Sequence, residues 1–253
     1  MKRRKFLAAT AAALPLALGA TASPEITADE QQLIELRTYE IKFGGSGQQV
    51  LLDYLNEALQ PALKRLGCPT FRIFRELGKE EPTAFWVAIA YPSSEVYLSA
   101  QNLGRDRVYN TAAEKYNAVP AGKPVYNRYS SQLLHAFVGM PLMADPGPGE
   151  AGLFELRTYE GYSEDAVRRK IKMFNTEEIA LFLKVGLHPV FFGKMIAGPY
   201  RPSLVYMLSF KDMDERNANW GKFGPHPEWK KMVAKLEYAD SVSNIRKAFL
   251  VPV

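Results

Sequence analysis

The sequence predicts an α+β fold: two tandem ferredoxin-like units of β-α-β-β-α-β order, joined as a pseudo-symmetric dimeric α+β barrel within one chain. Three observations predict it. The hexapeptide Glu35-Leu36-Arg37-Thr38-Tyr39-Glu40 recurs as Glu155-Leu156-Arg157-Thr158-Tyr159-Glu160, 120 positions later. A Pro/Gly-rich run between the copies, Met140-Pro141-Leu142-Met143-Ala144-Asp145-Pro146-Gly147-Pro148-Gly149, has the composition of a linker. The stretches on either side show the same succession of strand and helix patterns. A period this long means two copies of a domain, not a solenoid. Helices cover one face of such a sheet, and a second copy can cover the other by packing sheet on sheet.

The first copy, residues 31–139, opens with a strand over Leu33–Lys42. Ser46–Leu66 has helical periodicity, with Val50, Leu51, Tyr54, Leu55, Ala58 and Leu59 on one side, and Gly67 is placed to end it. Pro69–Leu77 and Ala84–Tyr91 read as strands around a turn at 78–83. Ser93 opens a second helical region, broken near Gly104, and Val125–Val138 closes the copy as a strand. Residues 140–152 form the linker. The second copy, 153–253, repeats the plan. Leu153–Gly161 is a strand, and Glu164–Val185 is a helix ending at Gly186. Pro189–Ala197 and Ser203–Phe210 are strands, Asp212–Trp220 and Pro227–Asp240 are helical, and Ser243–Val251 is the last strand. The same offset aligns Leu33 with Leu153, Glu57 with Glu177, Leu63-Lys64 with Leu183-Lys184, Pro69 with Pro189 and Phe71 with Phe191. It also aligns Gly78 with Gly198, Pro82 with Pro202 and Gly104 with Gly224.

Residues 1–22 read as an address. Four basic residues precede an apolar run from Phe6 to Ala20, and Ala20-Thr21-Ala22 sets a signal-peptidase site between Ala22 and Ser23. Arg3-Arg4-Lys5-Phe6-Leu7 matches the twin-arginine pattern. The run holds Pro15 and Gly19 and is shorter than the roughly 20 apolar residues a spanning helix needs, so no membrane anchor is expected after cleavage. The expected location is the periplasm or the exterior. Without this leader, 28 basic residues face 27 acidic ones, so the formal charge of +5 belongs mostly to the address. A near-neutral body carries no basic footprint for nucleic acid. A single cysteine, Cys68, excludes an intramolecular disulfide framework and reads as a buried structural thiol.

The repeated strand supplies the candidate ligand-binding residues. Side chains alternate along a strand, so Glu35, Arg37 and Tyr39 share one face, as do Glu155, Arg157 and Tyr159. The expectation is that Ile34, Leu36 and Thr38 pack under the helices while the Glu-Arg-Tyr rows line a polar cavity inside the barrel. Arginine offers a fixed fork of donors and tyrosine a hydroxyl, which suits a small polar or anionic ligand. The alternative is structural, with each glutamate neutralising its own arginine at the interface.

The three histidines, His135, His188 and His226, have no metal-ligand spacing, and neither metal nor cofactor is implied. His226 lies in Gly224-Pro225-His226-Pro227-Glu228-Trp229 and is the weak candidate for a catalytic base, with Trp220 and Trp229 as aromatic walls. Haem would need His226 or His188 to point into a large apolar cavity. Gly44-Gly45-Ser46-Gly47 lacks the Lys-Ser/Thr ending of a phosphate loop and reads as a flexible connection.

The chain resembles the NIPSNAP family. The resemblance is carried by Glu35-Leu36-Arg37-Thr38-Tyr39, by Glu155-Leu156-Arg157-Thr158-Tyr159, and by Pro225-His226-Pro227-Glu228-Trp229. It covers nearly all of Leu153–Val253. The first copy departs at Gly104-Arg105-Asp106-Arg107-Val108-Tyr109, which lacks the Pro and Trp. The resemblance implies a dimeric α+β barrel and brings no accepted catalytic residues. The expected function is binding of a small molecule or a protein partner through the barrel. The alternative is a cofactor-free periplasmic monooxygenase or isomerase acting on a small aromatic or carbonyl compound. A filled barrel with closed Glu–Arg pairs favours a structural or interaction role, and a pocket joining His226 to an arginine favours an enzyme. The chain is expected either as a monomer with a pseudo-dimeric barrel or as a homo-oligomer.

Overall fold

In a computed structural model that describes residues 31–41, 47–78, 84–146 and 150–253, eight antiparallel strands close a barrel. The strands are β1 (Leu33–Glu40), β2 (Thr70–Glu76), β3 (Ala84–Tyr91), β4 (Tyr129–Ala136), β5 (Leu153–Glu160), β6 (His188–Ala197), β7 (Ser203–Phe210) and β8 (Asn244–Pro252). Their order around the barrel is β1-β3-β2-β8-β5-β7-β6-β4. Each repeat contributes four neighbouring strands, and the seams are β2–β8 and β4–β6. The leader, with Arg3, Arg4, Phe6, Leu7, Ala22 and Ser23, lies outside the described residues. So do Gly44 to Ser46, Pro82 and Gly147 to Gly149.

Each repeat lays one long helix on its outer sheet face, at residues 47–65 and 164–184. Gly67 (φ 90°) and Gly186 (φ 81°) end these helices in the left-handed region that glycine enters without a Cβ penalty. They stand 119 positions apart, whereas β1 and β5 keep the 120 spacing. The gapless alignment therefore slips by one residue between the first strand and the end of the helix. The matches of Glu57 with Glu177 and of Leu63-Lys64 with Leu183-Lys184 are one position out of structural register. Helical periodicity conceals such a slip, since neighbouring helix positions carry similar residues. In register, Leu51 corresponds to Lys170, Leu55 to Phe174, Leu59 to Glu178 and Leu63 to Phe182.

The last helical regions also end differently from the expectation. Met213–Phe223 runs to Phe223, and Pro227–Val233 stops early, leaving a single turn at Leu236–Tyr238. The closing strand of the first copy is β4 alone, shorter than the expected 125–138.

Three apolar clusters result. One fills the barrel from both repeats: Ile34, Leu36, Phe74, Leu134, Phe154, Leu156, Phe191, Met195, Met207 and Leu250, with Ala88, Ala90 and Ala136 where space is short. The other two lie between sheet and helices, one in each repeat. This reverses the expected faces. Ile34 and Leu36 point into the barrel, while Glu35, Arg37 and Tyr39 lie beneath the helices of the first repeat. Leu156 and Tyr159 divide in the same way in the second. The barrel cluster is mostly apolar, and Glu76, on the face of β2 that Phe74 shares, has its Oε2 accepting from Trp86 Nε1 at 3.3 Å. A buried charge needs such hydrogen-bonding partners, and for Glu35 and Arg37 the helix side supplies them.

Candidate functional site

Both Glu-Arg rows form closed networks. In the first repeat Arg37 Nε donates to Glu35 Oε1 at 2.8 Å and Nη2 donates to Oε2 at 3.0 Å. Tyr91 and Ser131 hydroxyls donate to the same carboxylate at 2.8 and 2.6 Å. Burial works to raise the Glu35 carboxyl, and Arg37 with these donors outweighs it, holding the group below its ordinary value. Around this pair stand tyrosines: Tyr39 stacks on Tyr129 at 5.1 Å, and Tyr54 stacks on Tyr116 at 3.9 Å.

The second repeat has more charge. Glu155 is fully buried and takes both arginines. Arg157 Nε donates to Oε1 at 2.8 Å, and Arg216 Nε and Nη2 donate to Oε2 and Oε1 at 2.9 Å each. Trp220 Nε1 adds a donation to Oε2 at 2.8 Å, and the Arg157 guanidinium lies 3.8 Å over the Trp220 ring. Burial raises the Glu155 carboxyl, yet Arg216 and Arg157 overcome it and hold the group below its ordinary value. Tyr159 and Tyr206 share a hydrogen bond of 2.9 Å between hydroxyls, and Arg157 Nη1 reaches Tyr159 Oη at 3.4 Å.

Above them lies a buried ion pair. Lys170 Nζ donates to Glu178 Oε2 at 2.6 Å, with side chains only 6% and 1% exposed. The ammonium also sits 4.6 Å from the Phe174 ring and 5.4 Å from the Trp229 ring. Burial raises the Glu178 carboxyl above its ordinary value, and the Lys170 charge only partly opposes this.

The structure thus brings Glu155, Arg157, Tyr159, Trp220 and Trp229 into one layer. Glu35, Arg37 and Tyr39 occupy the matching layer of the other repeat. His226 stands apart: it is the N-cap of Pro227–Val233, its Nδ1 accepting from the Glu228 N–H at 3.2 Å. No hydrogen bond among the described residues links it to Arg157. His188 is exposed at the start of β6, 3.8 Å from Glu215, and His135 lies in β4. Sequence reasoning missed Lys170, Glu178, Tyr206 and Arg216. A signal existed for two of them: Lys170 and Glu178 fall among Ala166, Val167, Phe174, Leu181 and Phe182 on the buried stripe of their helix.

No helix among the described residues is long and apolar enough to cross a membrane. Among solved structures, a candidate monooxygenase from Lactobacillus acidophilus superposes with a TM-score of 0.58 at 10% identity, over 88% of this chain and 94% of its own. A candidate monooxygenase from Fusobacterium nucleatum gives 0.56 at 9% identity, over 88% and 92%. At this identity the likeness is one of fold. An uncharacterized NIPSNAP-like domain protein from Burkholderia xenovorans matches 40% of this chain and 84% of its own at 22% identity, with a TM-score of 0.36. No curated protein matches the chain. The NIPSNAP family model matches residues 154–253, the stretch that holds every member of the Glu155–Arg157–Lys170–Glu178 layer. The second repeat of this chain is therefore a NIPSNAP-family domain.

Proposed function

We propose that this is an exported protein that binds a small ligand between the sheet and the helices of its second repeat. One observation carries the reading. Lys170 and Glu178 stand where the first repeat has Leu51 and Leu59, both fully or almost fully buried. A buried ion pair stabilises a fold no better than well-packed apolar residues of similar size, and replacing one is often neutral or stabilising by about 1–4 kcal/mol. In the first repeat the leucines at these positions pack between helix and sheet. Retaining charge at these positions fits a role outside stability. The filled barrel and the closed Glu35–Arg37 pair fit a structural role for the first repeat. Export rests on the twin-arginine motif and the Ala22–Ser23 site.

The experiment is the double variant Lys170→Leu/Glu178→Leu, which installs the first repeat's residues. Its melting temperature is expected to equal or exceed that of the parent. Native mass spectrometry of the parent, purified from its own periplasm, is expected to show a bound small molecule that the double variant lacks. A strongly destabilised double variant makes the pair structural. A ligand-free parent moves the reading to a protein partner.

A second reading, a monooxygenase or isomerase on a small aromatic or carbonyl compound, is favoured by Glu178. Burial raises this carboxyl and the Lys170 ammonium 2.6 Å away opposes the shift, and perturbed carboxyls of this kind serve general acid–base chemistry.

A further inference from the structure

The two seams of the barrel are built alike, but one is filled and the other is open. Lys194 faces His135 across the β4–β6 seam, and Arg75 faces Val251 in the matching place of the β2–β8 seam. One step outward the Phe137 N–H donates to the Phe192 carbonyl at 3.0 Å, as the Val253 N–H donates to that of Ile73 at 3.2 Å. Beyond this step the seams part. On β6 the Val190 carbonyl accepts from the Ala144 N–H at 2.7 Å. That donor belongs to the linker, whose Met143 is buried in the barrel cluster. On β2 the corresponding residue is Phe71. Backbone groups alternate in direction along a strand, so Phe71 turns its N–H and C=O to the same side as Ile73. Among the described residues no backbone bond reaches Phe71 on that side.

This open edge lies on a trough. A cavity of about 300 Å³ is lined by Phe71, Phe74 and Phe154 and by Asn56 and Gln60 of the helix. A second, of about 320 Å³, shares Gln60 and Phe71 with it and runs past Lys64 to Gly67. The linker borders the trough without filling it, holding Arg72 through Asp145 and the Pro146 carbonyl. An unpaired strand edge is a template for one more strand. Its backbone groups give affinity, and the pockets beside it take alternate side chains. The second repeat shows the occupied form of the same edge: an extended segment with one apolar side chain buried and the next residue's N–H on the strand.

We propose that the β2 edge docks an extended segment of a partner protein. One of its residues pairs with Phe71, and the apolar residue before it enters the cavity beside Phe74 and Phe154, as Ala144 and Met143 do at β6. This site lies in the first repeat and is independent of the Lys170–Glu178 reading.

The test uses a capped synthetic peptide with the sequence of residues 139–146, the segment that fills the β6 edge. Calorimetric titration of the purified chain is expected to show one peptide bound per chain, and amide hydrogen exchange a several-fold slowing at the Phe71 N–H. The same peptide N-methylated at its alanine keeps every side chain and loses the donor. It should bind roughly tenfold more weakly, the worth of one hydrogen bond. Gln60→Trp, which fills the trough from the helix side, should weaken the parent peptide by tenfold or more. The N-methylated peptide gives a reading that needs no altered protein, should that variant fail to fold. Equal binding of the two peptides overturns strand addition and makes the trough a pocket for side chains or small molecules. Slowed exchange on β6 in place of Phe71 means that the peptide displaces the linker, and overturns the assignment to β2. A peptide-free chain that dimerises through this edge, and stops doing so in Gln60→Trp, makes the occupant a second copy and overturns the partner. Failure of the parent peptide to bind the folded chain overturns the proposal and leaves the second repeat's ligand site untouched.

Discussion

Glu155 shows what a single carboxylate does here. Its pKa lies below the ordinary value of 4.5 in the fold because two arginines and a tryptophan donate to it against the cost of burial. A group depressed in the fold stabilises it above the ordinary value and loses that contribution as pH falls through the folded value. Glu35 acts with the same sign. Glu178 acts with the opposite sign, because burial raises it, and its ionisation costs stability above the ordinary carboxylate range. The expected outcome is a melting temperature that falls steeply once pH drops below 4.5, with a shallower acid slope in Glu155→Gln. Melts of both proteins across the acid range check this, and an unchanged slope would exclude Glu155 as a source of the acid sensitivity. Cys68, by contrast, is inert for a local reason. Burial, with Glu35 near it, pushes its thiol up to about 11, so it stays protonated at neutral pH.

At the scale of the element, the two long helices end alike but not equally tightly. A Cβ on Gly67 would meet nothing within 4 Å, so Gly67→Ala carries the left-handed backbone cost alone, about 1–2 kcal/mol. A Cβ on Gly186 would lie 3.2 Å from Asn219 Nδ2, and that amide donates to the Gly186 carbonyl at 2.8 Å. Gly186→Ala is therefore expected to destabilise more than Gly67→Ala, by about 1 kcal/mol for the disturbed hydrogen bond. Denaturant titrations of the two variants decide it, and equal losses would mean that Asn219 adjusts freely. Much at this scale was legible: β3 and β7 run over the expected residues, and both terminating glycines are where the pattern placed them. The Ser93 cap was legible too, accepting from the Val96 N–H. The one-residue slip between the repeats was not, because helix periodicity tolerates it.

At the scale of the molecule, the closed barrel needs no second chain to cover its sheets. Each half provides the cover of the other through the β2–β8 and β4–β6 seams. Residues 150–253 expressed alone would expose Phe154, Leu156, Met207 and Leu250, all buried in the whole chain. Burial of such side chains is worth about 1.5–3 kcal/mol each. The half-chain is expected to pair with itself, restoring a barrel from two identical sheets. Light scattering would show a dimer, and a stable folded monomer would mean that the first repeat is dispensable as cover.

The sequence by itself determined the duplication, the strand and helix order, and the division of each strand into two sets of side chains. It also placed Glu155, Arg157 and Tyr159 in one set. Tertiary structure alone decided which set meets the helices. Alternation is unchanged when the two faces are exchanged, and here both faces are buried, so polarity could not label them. It also decided that Arg216 and Trp220, some sixty residues from Glu155, close on its carboxylate. Lys170 and Glu178 stood visibly on an apolar stripe, but only packing revealed that the same stripe in the first repeat is leucine.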